Sequence, residues 1–395
     1  MTDEAPQGWF SPGVRGIGLA SLFADAGHEI GTALLPSFLV GVLGAPPAAL
    51  GLVEGIADGL SGLAKVAGGG LADDPQRRRG LAVGGYVLTA LLSAAVGLAT
   101  AVWQVGVLRT GAWISRGIRG PARNALLADA VVPGTFGRAY GFERAMDNLG
   151  AVIGPLLAIV LAASIGTANA ILLSVIPGLL AALAIVYAIR HLRHQERRER
   201  RPVRFHFRAV LDGKLRAIAW PIAAFELGNM AATLLILRAT ETLSSGAFAG
   251  VAATLAIGLY ALYNVAGTLS SYPAGRLVDS IGVNRIFGTG IALFGIAYLL
   301  FALDAGPLVL GLGFVLAGIG IGCAETAESA VVAEHAPEEL RGSAFGLLAA
   351  TQSAGDLLAS VVVGVIWTLI GPAAAFVYAA AWMGVSFIGL LRARA

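Results

Sequence analysis

The stretch Gly69-Gly-Leu-Ala-Asp73-Asp-Pro-Gln-Arg77-Arg78-Arg79 lies between two long apolar runs, and its opening pattern returns as Gly275-Arg-Leu-Val-Asp279-Ser-Ile-Gly-Val-Asn-Arg285. A second pair, Gly137-Arg-Ala-Tyr-Gly-Phe142 and Gly342-Ser-Ala-Phe-Gly-Leu347, repeats at nearly the same offset, about 205 residues. Two independent matches at one offset divide the chain into related halves. The only long charged run, beginning His191-Leu-Arg-His-Gln-Glu-Arg-Arg, falls between them. We place a first half at residues 1–190, a linker at 191–214 and a second half at 215–395.

Outside these motifs the chain is apolar. Of its 395 residues, 57% are hydrophobic and 13% charged, with a mean hydropathy of +0.78. Soluble domains carry about 25% charged residues, so a water-soluble enzyme is excluded. Nearly uncharged stretches recur from Gly16 to Leu391, and about 20 such residues cross a hydrocarbon core. Because the runs are unbroken rather than alternating, they are helices and not barrel strands. Turn signals place them near 16–42, 47–70, 80–100, 103–126, 138–163, 168–191, 215–237, 246–272, 286–304, 307–333, 342–369 and 372–392. The expected fold is an all-α polytopic membrane protein of twelve spans, six in each half. An even number of crossings between equivalent points makes the halves parallel repeats.

Arg77, Arg78, Arg79, Arg138, Arg190, Arg276, Arg285, Arg341 and Arg392 share one side if the spans alternate; Arg238 is the main exception opposite. That bias puts both termini in the cytoplasm and the chain in the inner membrane. The net charge of +3 therefore reflects topology rather than nucleic-acid binding. The acidic start Met1-Thr-Asp-Glu has no basic flank, so no secretory leader is expected. The single cysteine, Cys323, precludes an intramolecular disulfide or a Cys-based metal site. The glycine-rich runs lie inside apolar spans and lack Gly-Lys-Ser/Thr, so no nucleotide or other cofactor is expected.

With these motifs the chain resembles the major facilitator superfamily over nearly its whole length. The family signature is a Gly-x-Leu-x-Asp-Arg-x-Gly-Arg-Arg loop after span 2; here Asp74 and Gln76 replace the usual Arg and Gly. The resemblance implies two six-helix halves rocking about a midplane cavity. It also implies a cytoplasmic latch at Gly69, Asp73, Arg77, Arg78, Gly275, Asp279 and Arg285, with the Asp capping a helix end and the Arg residues pairing across the half.

Span 4 carries Arg109, Arg116 and Arg123 at intervals of seven, on one helical face, with Arg119 beside them. Arg119 and Arg123 are expected to reach the cytoplasmic surface. Arg109 and Arg116 lie deeper, where an unpaired cation costs a few kcal/mol or more, so they should meet carboxylates. Asp25, His28 and Glu29 share a face of span 1, and Glu54 and Asp58 lie four apart in span 2. Span 5 opens with Glu143, Arg144, Asp147 and Asn148. Arg144 with Asp147, and Arg109 with a span-1 acid, read equally as structural ion pairs or transport groups, and Glu143 as a charge at a helix start. The second half offers Glu226 and Asn229, then Tyr260, Tyr263 and Asn264, Glu325 and Glu328, and Gln352 and Asp356. Glu325 and Glu328 have no obvious cation in sequence and are candidates for proton exchange, with Asp25, Glu29 and Asp58.

These residues favour a proton-coupled exporter of a small solute, working as a monomer by alternating access. One alternative is a divalent metal–proton antiporter in which Asp25, His28, Glu29 and Asp58 share the metal. Others are a non-transporting membrane sensor or a lipid flippase on the same fold.

Overall fold

In a computed structural model of the chain, residues 9–45, 47–192, 214–244, 248–303 and 306–393 are described. Most of the linker and the first eight residues lie outside them. No strand occurs among the described residues. The first half holds α1 (Pro12–Pro36), α2 (Pro47–Ala72), α3 (Pro75–Ala95), α4 (Val102–Asp129), α5 (Phe136–Ile165), α6 (Thr167–Leu173) and α7 (Val175–His191). The second holds α8 (Lys214–Gly228), α9 (Ala232–Ser244), α10 (Ala252–Ile281), α11 (Val283–Ala302), α12 (Pro307–His335), α13 (Arg341–Leu369) and α14 (Pro372–Arg392). Spans 6 and 7 are each two helices in series, so the fourteen helices of the described residues make twelve crossings.

Local chemistry explains several ends. Ser11 accepts from the Val14 N–H at 3.3 Å with Pro12 in the first helical position. Asp74 does the same for α3, accepting from the Gln76 N–H at 2.9 Å ahead of Pro75. Two boundaries differ from the sequence reading. Span 8 runs on to Ile281, because Pro273 is accommodated inside α10 instead of ending it. Span 7 extends to Ser244, which moves Arg238 from a turn into α9. There Arg238 is buried, donating to the carbonyls of Phe301 (2.9 Å) and Leu303 (3.1 Å) at the end of α11.

Among the described residues, eight spans are long and apolar enough to cross a membrane on composition alone. Helices α1, α2 and α4 are not among them. All three carry the charged side chains described below.

The halves meet chiefly through α5 against α10 and α2 against α13. Both contacts are built on the repeated glycines. A Cβ on Gly69 would lie 2.7 Å from the Gly342 carbonyl oxygen and 2.8 Å from Gly346 Cα. In the symmetry-related seam, a Cβ on Gly141 would lie 3.1 Å from Gly275 Cα. The backbones touch, which only glycine permits. These seams lie at the end where α1 begins and α4 and α7 finish, the side of both chain ends. Toward the opposite side the halves part, and Asp58 and Asp356 are exposed between them.

Replacing Gly69 or Gly275 by Leu should overpack a seam by about 1–3 kcal/mol and shift the population about tenfold away from this closed end. Maleimide labelling of Ser271→Cys, a fully buried position on the α10 seam, in a Cys323→Ser background reads this directly. Labelling should quicken about tenfold; an unchanged rate would show that the glycines do not hold the seam.

Candidate functional site

The arginine face of α4 is met by carboxylates from three neighbouring helices. Arg109 Nη2 lies 3.0 Å from Glu54 Oε1 on α2 and donates to Thr32 Oγ1 on α1 at 3.0 Å. The expected span-1 acid is therefore replaced by a span-2 acid, because α1 presents a hydroxyl at that level. Arg116 Nη2 lies 2.8 Å from Asp25 Oδ1. Trp113 sits between these two levels, its ring 5.0 Å from the Arg109 and 5.5 Å from the Arg116 guanidinium carbon. Arg123 Nη1 lies 2.9 Å from Glu143 Oε1 and donates to Ser21 Oγ at 2.9 Å, while Ser21 donates to the same carboxylate at 2.6 Å.

Two readings are corrected here. Arg119 does not reach the surface, and Arg123 keeps 15% of its side chain exposed. Arg119 is buried over the Tyr86 ring, at 3.9 Å from its centroid, and Arg123 is held by its acids. Glu143 is not a helix-start charge, because α5 begins two turns earlier at Phe136 and its carboxylate is 2% exposed.

Asp147 gathers two cations: its carboxylate meets Arg144 at 3.1 Å and Arg123 at 3.6 Å. Arg144 also reaches across to the second half, where its Nε lies 3.0 Å from Glu325 Oε2 on α12. Glu325 therefore does have a cation, one that sequence proximity could not reveal. A second bridge joins the halves where Lys65 on α2 donates to Ser353 Oγ on α13.

The remaining second-half groups form a polar cluster of their own. Asn229, in the break between α8 and α9, donates to Glu226 Oε2 at 3.1 Å and to Asp356 Oδ1 at 3.4 Å. Gln352 donates to Glu328 Oε2 at 2.8 Å, while Glu328 Oε1 is buried without a hydrogen-bond partner. Asn264 donates to the Tyr260 carbonyl of its own helix, and the Tyr260 and Tyr263 rings stack at 5.8 Å.

The shared metal site is not found. Among the described residues no group of three or more His, Cys, Asp and Glu side chains is placed to hold a metal ion. Asp25 is drawn to Arg116, and His28 packs its ring 4.6 Å from that of Trp113, with Nε2 3.3 Å from Thr32 Oγ1.

At the closed end, the repeated aspartates each bind the start of a helix in the other half. Asp279 accepts from the N–H groups of Gly137 (2.7 Å) and Arg138 (3.1 Å), and pairs with Arg138 Nε at 2.7 Å. Asp73 accepts from the Ser343 N–H at 2.7 Å and from its hydroxyl. Arg78 meets Asp129 at 2.5 Å, and Arg341 of the second half meets the same carboxylate at 3.2 Å. Arg77 turns back onto Asp74 at 3.2 Å and Arg285 is exposed, so neither joins the halves. Lys65, Asp129, Arg138, Ser343 and Arg341 complete the site without having been singled out for it. Lys65 carried one signal, being one of only two lysines in the chain and the one inside an apolar span.

Two related helical halves, closed on each other at one end and facing each other with charged side chains, have the architecture of a membrane transporter. The family model described as Major Facilitator Superfamily matches residues 17–257 and 222–395. The chain belongs to that superfamily. It is 27% identical over 367 residues to an MFS-type transporter of Methanocaldococcus jannaschii, covering 92% of this chain and 90% of that one. A Mycobacterium tuberculosis protein is 27% identical over 359 residues, covering 89% and 86%. Among solved structures, the human organic anion transporter MFSD10 matches with a TM-score of 0.74 at 17% identity, covering 96% of this chain and 99% of that one. A bacterial homologue of the iron transporter ferroportin, in an outward-facing state, matches at 0.73 and 16%, covering 97% and 99%.

A double-mutant cycle on Asp25→Asn and Arg116→Gln tests the central ion pair. In detergent each single change should lower thermal stability, and the double change should cost less than their sum by about 1–3 kcal/mol. Additive effects would mean that the two groups are not coupled.

Proposed function

We propose that the protein is a proton-coupled secondary transporter that exports a small solute by alternating access. One observation carries the reading: the charges of the two halves do not balance. In the first half, Lys65, Arg109, Arg116, Arg119, Arg123 and Arg144 face Asp25, Glu29, Glu54, Asp58, Glu143 and Asp147. The second half brings Glu226, Glu325, Glu328 and Asp356 to the cavity, while Arg238 is committed to backbone carbonyls. Among the described residues its carboxyls are relieved from across the interface by Arg144 on Glu325, and Lys65 of α2 reaches the same wall at Ser353 of α13. A surplus of carboxyls in a low-dielectric cavity calls for protons or a positively charged guest.

Proton arrival at Glu325 or Asp147 would weaken the link between the halves, and solute arrival would displace the proton. The side bearing both termini is read as cytoplasmic, because it carries the Arg-rich turns, and the membrane as the inner membrane. Protons entering down their gradient then drive solute outward. A single chain supplies both walls of the cavity, so the monomer suffices.

Purified protein in proteoliposomes with a trapped pH dye tests this, with small organic cations, anions and neutral solutes added one at a time. A solute-evoked proton movement is expected, falling about tenfold or more in Glu325→Gln and in Glu328→Gln. Solute flux without proton movement, or proton movement indifferent to both variants, would overturn the coupling.

A further inference from the structure

A small cavity lies inside the first half, bordered by α1, α3, α4 and the junction of α6 and α7. It is lined by His28, Tyr86, Thr89, Ser93, Arg119 and Ser174. Each of these residues is at least nine-tenths buried. The Tyr86, Thr89 and Ser174 hydroxyls have no hydrogen-bond partner. Arg119 makes no ion pair or hydrogen bond among the described residues, its one strong contact being the face of Tyr86. The neighbouring arginines hold the acids that could have served it, Arg116 on Asp25 and Arg123 on Glu143.

An uncompensated guanidinium in a membrane interior is costly, and so are buried hydroxyls left without partners. Both costs are removed by one guest that accepts from every side. A cation is excluded by Arg119, and a carboxylate-bearing solute by size. About 10 Å³ is open to the centre of a water-sized particle, which limits the guest to a single small species. We propose that this cavity holds a single small monovalent anion of the size of chloride. The guanidinium supplies the charge, and the Tyr86, Thr89 and Ser174 hydroxyls donate. Water alone would satisfy the hydroxyls but leave the charge on Arg119 unmet. The anion would tie α3 and α7 to α1 and α4, bracing the helices that carry Asp25 and Arg116.

The test uses the full-length purified protein, first by equilibrium binding of radioactive chloride and then by thermal unfolding in chloride against gluconate at equal ionic strength. The expected result is about one chloride per chain and a Tm about 2–4 °C higher in chloride. Both should be lost in Arg119→Gln. They should also weaken in Tyr86→Phe combined with Thr89→Val, which removes donors while nearly preserving shape and guards against a misfolded Arg119 variant. Glu328→Gln should retain chloride binding, separating this site from the transport cavity. A Tm indifferent to the anion, no chloride bound, or binding unaffected by both the Arg119 and the hydroxyl variants would overturn the proposal.

Discussion

A guanidinium inside a bilayer must find a carboxylate, and in this molecule that demand comes from one helix. Arg109, Arg116 and Arg123 descend one face of α4, and each draws an acid from a different neighbour: Glu54 on α2, Asp25 on α1 and Glu143 on α5. Breaking one such pair by removing a single partner leaves a buried charge and costs about 3–5 kcal/mol. The ladder therefore sets the rotation and depth of all four helices. Close backbone packing then becomes possible where glycines allow it, as at Gly117 of α4, where a Cβ would lie 2.8 Å from the Ser61 carbonyl on α2.

The same economy of charge links the halves, at two levels with different consequences. At the closed end, Asp73 and Asp279 bind helix starts across the seam, where backbone N–H groups and the helix dipole favour a negative charge. The two aspartates and their targets are the two sequence repeats, each Gly-x-Leu-x-Asp motif meeting the Gly-x-Ala-aromatic-Gly motif of the opposite half. The repeat thus encodes its own partner. Deeper in, Glu325 is held by Arg144, itself bound to Asp147, so a change of charge on any member is felt by both halves. A latch made of hydrogen bonds to backbone can open and reform without leaving a charge stranded, because water reaches it. The central link cannot, and must exchange one partner for another.

Much of this was legible in the sequence. The apolar runs located twelve spans, and the repeats located the two seams, because both depend on local composition and spacing. The arginine register on α4 was legible for the same reason. What escaped was the identity of partners across helices. Arg109 takes Glu54 rather than a span-1 acid, Glu325 has Arg144, and Arg119 lies buried on Tyr86. Helical spacing says which side chains share a face, but not which helix that face meets or at what depth. The metal reading rested on the same kind of inference: Asp25, His28 and Glu29 share a face of α1, and here Asp25 turns to α4 and His28 packs on Trp113.

The central claim is that protonation of the cavity carboxyls is coupled to opening of the latched end. Spin labels at Val132 and Ile281, both exposed at that end and on opposite halves, report its width by pulsed electron resonance. A second pair at Ile165 and Leu303 reports the other end. As pH falls, the two distances should change in opposite senses, and Glu325→Gln should show the low-pH pattern at every pH. Distances that stay fixed across pH, or that move together, would contradict the account.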